Sequence, residues 1–403
     1  MSDTGATFDV VIVGAGIVGL TVANEIQRRR PAARIAVLEK EDRPALHASG
    51  RNSGVMHCGI YYGSDTFKAQ VCSAGARRMI EYARAEGIAC NQDGKVILAT
   101  SEEQLPTVER LLGNARANGI VAHRIDAAQL RELEPAAAEG PAAIHCPTTA
   151  VIDSAAVIAR LRQQIAARGA QFRMQCHVLG PAGPGRLRTS QGTIACGMLI
   201  NCAGAHADTL AKAYGLAGDY ALVPFKGIYW KLAESARHLV RANIYPVPDT
   251  SVPFLGVHLT RVVSGDVYLG PTAIPALGRE NYGLLNGINL AESAAIGLQL
   301  AGMYLRDEGN FRHMVHVEVG KYRKANFLAA ARRLVPALRE QDMVPTTKAG
   351  IRPQLVNVRT RKLEMDYILE RGPDSLHVLN AISPAFTSGF AFAERIVDAA
   401  GIT

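Results

Sequence analysis

The chain has 403 residues, which sets a prior of one to three domains, and its 48% hydrophobic content supports a packed core and argues against disorder. The net charge is +8, but the basic residues are dispersed and Arg28–Arg30 is the only run of three. That excludes a nucleic-acid-binding stripe and fits an anionic small substrate, weak attachment to an acidic membrane surface, or a merely solvated face. Seven scattered cysteines without C-x-x-C spacing suggest no disulfide framework and no metal site, so a reducing cytoplasm is the simplest reading. Residues 1–8 carry neither the basic nor the apolar region of a signal peptide, and no run approaches the ~18 apolar residues of a spanning helix. Peripheral contact with the inner face of a membrane stays open.

Residues 8–40 read as strand, glycine turn, helix, strand and acid. Gly14, Gly16 and Gly19 form G-x-G-x-x-G at the end of an apolar β-branched run. Gly14 allows the tight turn, Gly16 lets backbone approach a pyrophosphate, and Gly19 lets the helix from Ile17 pack close to the strand. The helix N-terminus offers N–H groups and positive dipole to phosphates. Glu39, 20 residues after Gly19, can accept from a ribose hydroxyl. The alternative is an ordinary glycine-rich turn, and the motif alone does not choose between NAD and FAD.

The glycine-, serine- and asparagine-rich stretch 41–63 reads as a loop near the cofactor, followed by a helix over 67–86. A strand at 95–100 and helices at 102–117 and 127–134 look like an inserted layer. Helix returns over 151–169, capped by Asp153 or Ser154. Strands follow at 171–179 and 193–204, the second ending in Ala203–Gly204, a second place for backbone to meet a pyrophosphate, and then a helix over 206–216. Spaced strands at 226–232, 243–248, 254–261 and 266–271 suggest an antiparallel sheet covering a substrate. Residues 282–338 read as mostly helical, 345–370 as strand and loop, 377–380 as a last core strand, and 382–391 as a small-residue turn into a final helix. The fold class is α/β: a Rossmann-like nucleotide-binding domain from 1–86, 146–222 and 345–403, with an inserted mixed-sheet substrate domain from 87–145 and 223–344.

The stretches VIVGAGIVG, SGRNSGVMHCGIYY, FKAQVC, VPFKGIYWKL, IYPVPDTSVPFLGVHLTR, VYLGPTAI, AGIRPQ and HVLNAISPAFTS together resemble the D-amino-acid-oxidase-like FAD oxidoreductases. Within that superfamily they are most similar to the L-2-hydroxyglutarate oxidase/dehydrogenase family, over nearly the whole chain. Arg51 stands where the resemblance leads one to expect a small polar residue or histidine, Thr272 where asparagine is usual, and Phe386 where a small residue is common.

The resemblance implies FAD as cofactor. Gly14, Gly16, Ile17 and Gly19 would hold the pyrophosphate, Glu39 and Lys40 the adenosine side, and Asn52, Ser53 and Gly54 the isoalloxazine side. Val178 would lie by the adenine and Ala203 and Gly204 by the phosphates. Ser383, Pro384, Ala385, Phe386 and Thr387 would set backbone donors near the flavin pyrimidine edge; the plainer reading of that turn is a helix entry. It also implies oxidation of L-2-hydroxyglutarate to 2-oxoglutarate, with electrons passing to oxygen or a membrane quinone. His57 is the candidate base, since neutral imidazole suits removal of a hydroxyl proton; a structural role or covalent flavin attachment stays open. Arg352 suits the carboxylate beside the reacting carbon. Lys226, His258, Arg261 and Tyr268 are candidates for the distal carboxylate and the hydroxyl, with Tyr61 lining the pocket and Lys348 a weaker candidate near the flavin. An amino-acid or secondary-amine oxidase and a non-catalytic flavin-binding module are the alternatives.

Overall fold

The computed structural model describes residues 7–249, 254–284 and 286–403. The expected absence of a leader at the N-terminus and the centre of the 244–261 motif, at 250–253, fall outside the described residues.

The apolar run before the glycine motif forms the central strand of the first sheet because both of its faces are covered. Gln171–Arg173, Ile35–Leu38, Thr7–Val13, Gly192–Asn201 and Ser375–Leu379 lie side by side in that order, all parallel. Val10 and Ile12 point into a core shared with the helices Ile17–Arg29 and Ala385–Ala399. Val11 and Val13 point to the opposite face, among Leu187, Ile194 and Leu199. An antiparallel hairpin, Val178–Pro181 with Arg186–Thr189, flanks Gly192–Asn201, and Ile368–Arg371 flanks the last strand. The helix Phe67–Ala85 crosses Ala385–Ala399 so closely that a Cβ on Gly75 would stand 2.6 Å from Ser388 Cα.

Among the described residues the second sheet has nine strands and is antiparallel except where Asn243–Pro246 meets Lys95–Ala99. Its axis is the pair Tyr220–Leu232 and Met343–Asn357, aligned along almost their full lengths. The helices Leu290–Arg306 and Phe311–Gly320 cover it through Met303, Phe311 and Met314, packed on Val223 and Phe225. A small third sheet joins Val55–Met56, Ala150–Ile152 and Cys90–Asn91.

Several boundaries differ from those read in the sequence. The 151–169 helix begins at Ser154, because Asp153 accepts the amide N–H groups of Ala155 and Ala156 and so ends the strand Ala150–Ile152. The 171–179 strand breaks into two strands on opposite edges of the sheet. The 254–261 strand begins only at His258, and residues 282–284 and 286–289 are not helical. The 382–391 turn is mostly helix, which starts at Ala385. Met343–Asn357 opens the segment expected to return to the nucleotide-binding half, yet it runs through the second sheet before Leu355 N–H donates to Asn380 Oδ1 at the end of the last parallel strand.

The helix Ile17–Arg29 rests on the missing side chain of Gly19: a Cβ there would lie 2.0 Å from the Gly14 carbonyl oxygen. Gly19→Ala is therefore expected to cost about 1–3 kcal/mol through overpacking and to weaken flavin retention. Thermal melts and the flavin-to-protein absorbance ratio of the purified variant check this; an unchanged pair of values would contradict it.

Candidate active site

One cavity of about 900 Å³ runs between the two sheets. Its first end is the glycine turn. Gly14 has φ +98°, and a Cβ there would stand 2.5 Å from the Cys202 carbonyl oxygen, so only glycine leaves this cradle open. Gly16 caps the Ile17–Arg29 helix without a side-chain bond; Ser49 Oγ accepts the Ile17 N–H at 2.9 Å, and Glu39 Oε2 accepts the Ala15 N–H at 2.8 Å. Ala203, Gly204 and Val178 share this wall. Lys40 bridges the carboxylates of Glu41 and Glu280, filling a cluster that with His47 otherwise has the makings of a cation site. His206 donates to Glu280 at 2.8 Å, and with Lys40 it holds that carboxyl well below the usual range.

The middle of the cavity is built by the 49–57 loop. Asn52 closes a turn, donating to Ser49 O at 2.6 Å and accepting from Gly54 N at 2.8 Å. Ser53 lines the cavity, whereas Gly54 lies off its wall, with its backbone pressed against the Ile152 carbonyl. Gly19 is likewise beneath the wall. Arg51, unexpected in this loop, ties it down. Its Nε donates to Leu46 O at 2.8 Å, and its guanidinium carbon lies 3.9 Å over the Tyr282 ring. Ser383, Pro384, Ala385, Phe386 and Thr387 all face the cavity, and Pro384 caps the last helix with no side-chain bond. Two helix N-termini thus converge on one space, which favours a ligand with negative charge. Thr387 Oγ1 also accepts the His57 N–H at 3.3 Å and donates to Val55 O at 3.2 Å, so the helix entry and the segment carrying His57 are one unit.

At the far end lie His57, Arg352, His258, Tyr61, Tyr62, Tyr229 and Lys68. The His57 ring has no hydrogen-bond partner among the described residues; burial, then the charges of Lys95, His258 and Arg352, push its pKa down to about 3. Arg352 sits with its guanidinium carbon 4.6 Å from the Phe254 ring centroid and pairs with no carboxylate among the described residues. His258 donates from Nδ1 to Gly256 O at 3.0 Å and stacks on Tyr245 at 4.0 Å; burial lowers its pKa to about 4.

Three proposed carboxylate partners are not on the cavity wall. Along Tyr220–Leu232 the residues facing the cavity are Phe225, Gly227 and Tyr229, so the period of two turns Lys226 to the other side. There its ammonium donates to Asn281 Oδ1 at 3.1 Å and Gly283 O at 2.6 Å. Arg261 faces away by the same alternation and donates to Val240 O at 3.3 Å. Tyr268 lies on the His258 side but beyond the wall, under the Lys348 ammonium at 4.4 Å from its ring centroid. Thr272 bonds the Lys226 backbone oxygen at 3.0 Å, a sheet-fastening role.

The sequence reading missed Lys68 and Lys95. Lys68 belongs to the FKAQVC stretch already quoted, where a helix lysine reads as solvated. Lys95 opens a strand, yet it is 1% exposed, its Nζ has no hydrogen-bond partner among the described residues, and it lies 4.5 Å from the Tyr61 ring centroid and 5.1 Å from that of Tyr245.

The profile of the DAO family, described as FAD dependent oxidoreductase, matches residues 9–399. The chain is 34% identical over 97% of its length to L-2-hydroxyglutarate dehydrogenase of Indibacter alkaliphilus, covering 98% of that protein. It is also 34% identical to the mitochondrial L-2-hydroxyglutarate dehydrogenase of Homo sapiens, covering 98% of this chain and 89% of that one. Among solved structures, the FAD-bound L-alpha-glycerophosphate oxidase of Mycoplasma pneumoniae superposes with a TM-score of 0.77 at 20% identity, over 98% of this chain and 95% of that one. The chain belongs to the DAO family of FAD dependent oxidoreductases. The open Gly14 cradle, the two helix N-termini and a cavity at the large end of ligand-site volumes fit that cofactor.

Three buried histidines make the fold sensitive to acid. His57, His258 and His377 have pKa values lowered to about 3, 4 and 4, in each case first by burial. Between pH 6.5 and about 4 the unfolded chain binds protons that the folded chain does not, so stability falls as pH falls through that window. Each histidine contributes up to about 1.4 kcal/mol per pH unit. The melting temperature of the holoprotein is expected to drop steadily from pH 7 to pH 5; a flat profile would contradict this.

Proposed function

We propose that this protein oxidises L-2-hydroxyglutarate to 2-oxoglutarate, with His57 taking the hydroxyl proton and Arg352 holding the carboxylate beside the reacting carbon. The observation that carries this reading is that a neutral imidazole and a half-buried guanidinium, neither with a side-chain hydrogen-bond partner among the described residues, share the far end of one cavity. The near-full-length likeness to proteins named L-2-hydroxyglutarate dehydrogenase supports the substrate.

FAD, when bound, supplies the acceptor for the hydride that leaves C2. The chain's own part is to hold and deprotonate. Arg352 offers a planar fork to one carboxylate, which fixes the C2 hydrogen and the hydroxyl in direction. His57 is uncharged at neutral pH, as a base must be before it takes a proton. A bound carboxylate offsets the Arg352 charge, one of the charges that depress His57, and so raises its basicity at the moment it is needed. The Thr387 bond to the His57 backbone fixes the ring's origin relative to the last helix. Anaerobic flavin absorbance tests the reading: L-2-hydroxyglutarate is expected to bleach the holoenzyme, and His57→Ala to slow bleaching by about 10²–10⁴-fold. Bleaching by amino acids or sarcosine instead would replace this substrate with an amine and remove the need for a base.

A membrane-bound quinone as electron acceptor is supported by a surface feature. On the Leu290–Arg306 helix, Leu290, Ala294, Leu298, Ala301 and Leu305 are all exposed along one face, with Leu298 77% and Leu305 74% accessible. Leu284, just before it, is 80% accessible. A contiguous apolar stripe of this kind marks a contact surface. No helix among the described residues is long and apolar enough to cross a membrane, so the contact would be peripheral. The holoprotein is expected to float with anionic lipid vesicles and the Leu298→Glu/Leu305→Glu double variant to stay in solution. Equal flotation would sink this reading.

A further inference from the structure

We propose that Lys68 is the second anion anchor of this site: its ammonium receives the distal carboxylate of a substrate whose first carboxylate lies on Arg352, and so selects dicarboxylic over monocarboxylic 2-hydroxy acids. The inference rests on the 2-hydroxy-acid reading above and names what that reading leaves without a residue, since Lys226, Arg261 and Tyr268 lie off the cavity.

The placement of Lys68 is specific. It is the second residue of the Phe67–Ala85 helix, and that helix start is fixed three ways. Thr66 Oγ1 accepts the Ala69 N–H at 3.1 Å, Asp366 Oδ2 accepts the Phe67 N–H at 2.6 Å, and Asp366 Oδ1 accepts the Lys68 N–H at 3.0 Å. Asp366 is itself held from behind: its carbonyl accepts from Asn380 Nδ2 at 2.7 Å. A lysine in a first helical turn ordinarily reaches into water. This one is 4% exposed and lines the cavity instead. Its ammonium stands 5.7 Å from the Tyr62 ring centroid and 5.6 Å from that of Tyr367, a slot of two aromatic faces that orients a cation without neutralising it.

The charge balance at this end of the cavity is unfinished. Arg352 and Lys68 are close enough for the Arg352 charge to depress Lys68. Neither makes a salt bridge among the described residues. Asp366, the nearest carboxylate, spends its oxygens on the Phe67, Lys68 and Tyr367 amides. Of the other carboxylates on the cavity wall, Asp249 has a partner of its own, while Glu39 and Glu280 belong to the glycine-turn end. A buried ammonium only partly offset by Asp366, beside a half-buried guanidinium with no salt bridge among the described residues, is costly in the empty protein. A ligand with two carboxylates relieves both, and a ligand with one leaves a charge uncompensated.

The groups facing the Lys68 ammonium are Asp366, Arg352, Cys72, Tyr62 and Tyr367. Burial, partly offset by Asp366, brings its pKa down to about 8, which gives a test on the unaltered enzyme. In the holoenzyme, kcat/KM for L-2-hydroxyglutarate is expected to fall above about pH 8 as Lys68 loses its proton. L-2-hydroxypentanoate, with a methyl in place of the distal carboxylate, should show no fall there. Identical profiles would overturn the proposal.

Lys68→Met gives the second test. With L-2-hydroxyglutarate its kcat/KM is expected to drop about 30-fold or more, mainly through KM. Calorimetric affinity for the product 2-oxoglutarate should weaken in parallel, while that for 2-oxopentanoate should not. The preference for the dicarboxylate over L-2-hydroxypentanoate then collapses, and Lys68→Arg restores part of it. Equal losses on both acids, or equal losses of affinity for both oxo acids, would mean that Lys68 only supports the helix. If the unaltered enzyme ignored every 2-hydroxy acid, the functional reading itself would fail, an outcome separate from either result for Lys68.

Discussion

The helix Ile17–Arg29 can lie against its strand only because Gly19 has no side chain, its would-be Cβ being 2.0 Å from the Gly14 oxygen. That approach sets the position of everything at the first end of the cavity. It brings the uncapped helix N-terminus to the strand ends, where Gly14 N–H reaches Leu38 O at 2.8 Å and Cys202 N–H reaches Val13 O at 2.9 Å. Three strands are thereby tied to one turn. Glu39 and Ala203 follow these strand ends into place beside the cradle, where Glu39 accepts the Ala15 N–H and Ala203 N–H donates to Asn201 Oδ1.

At the other end the organising force is electrostatic and unbalanced. Lys68 and Lys95 are buried and Arg352 is half-buried, all with no salt-bridge partner among the described residues, against the usual rule that buried charges are paired. Burial first, and then the charges of Lys95 and Arg352, keep His57 and His258 neutral. On the proposed reading, an anion from solution rather than a carboxylate of the chain completes Arg352 and Lys68. The aromatic rings of Tyr61, Tyr62, Tyr245 and Tyr367 make this tolerable by offering their faces to the two ammonium groups.

The glycine turn and the parallel core were legible in the chain, because each rests on a local pattern with a single physical solution, whereas His57 and Arg352, far apart in the chain, were brought together only by the family resemblance. The cofactor was legible only through family resemblance. The distal anchor was not legible, for two reasons that particular residues make plain. Alternation along a strand separates Lys226 from Tyr229 by face, but it does not say which face meets the cavity until the partner strand is known. Arg261 and His258 present the same ambiguity, resolved by the pairing with Val267 and Gly270. Burial is the second reason: Lys68 and Lys95 sit in ordinary helix and strand contexts where lysine marks solvent, and only the assembly of both sheets encloses them. Long-range bonds also reset local boundaries, as where Asp366, almost 300 residues away, fixes the first turn of the Phe67–Ala85 helix.

The strand Ser375–Leu379 and the helix Ala385–Ala399 complete a sheet whose central strand is Thr7–Val13. During synthesis the first strand, its glycine turn and its helix emerge early, but the sheet stays open along Gly192–Asn201 until residues beyond 375 have left the ribosome. Nearly the whole chain must wait with that edge and the apolar faces of Leu20, Ile26 and Val10 uncovered. Quality control therefore has a long interval in which to act on this protein, and a message cut short anywhere before its last helix yields a chain with half a cofactor site and no means of closing it.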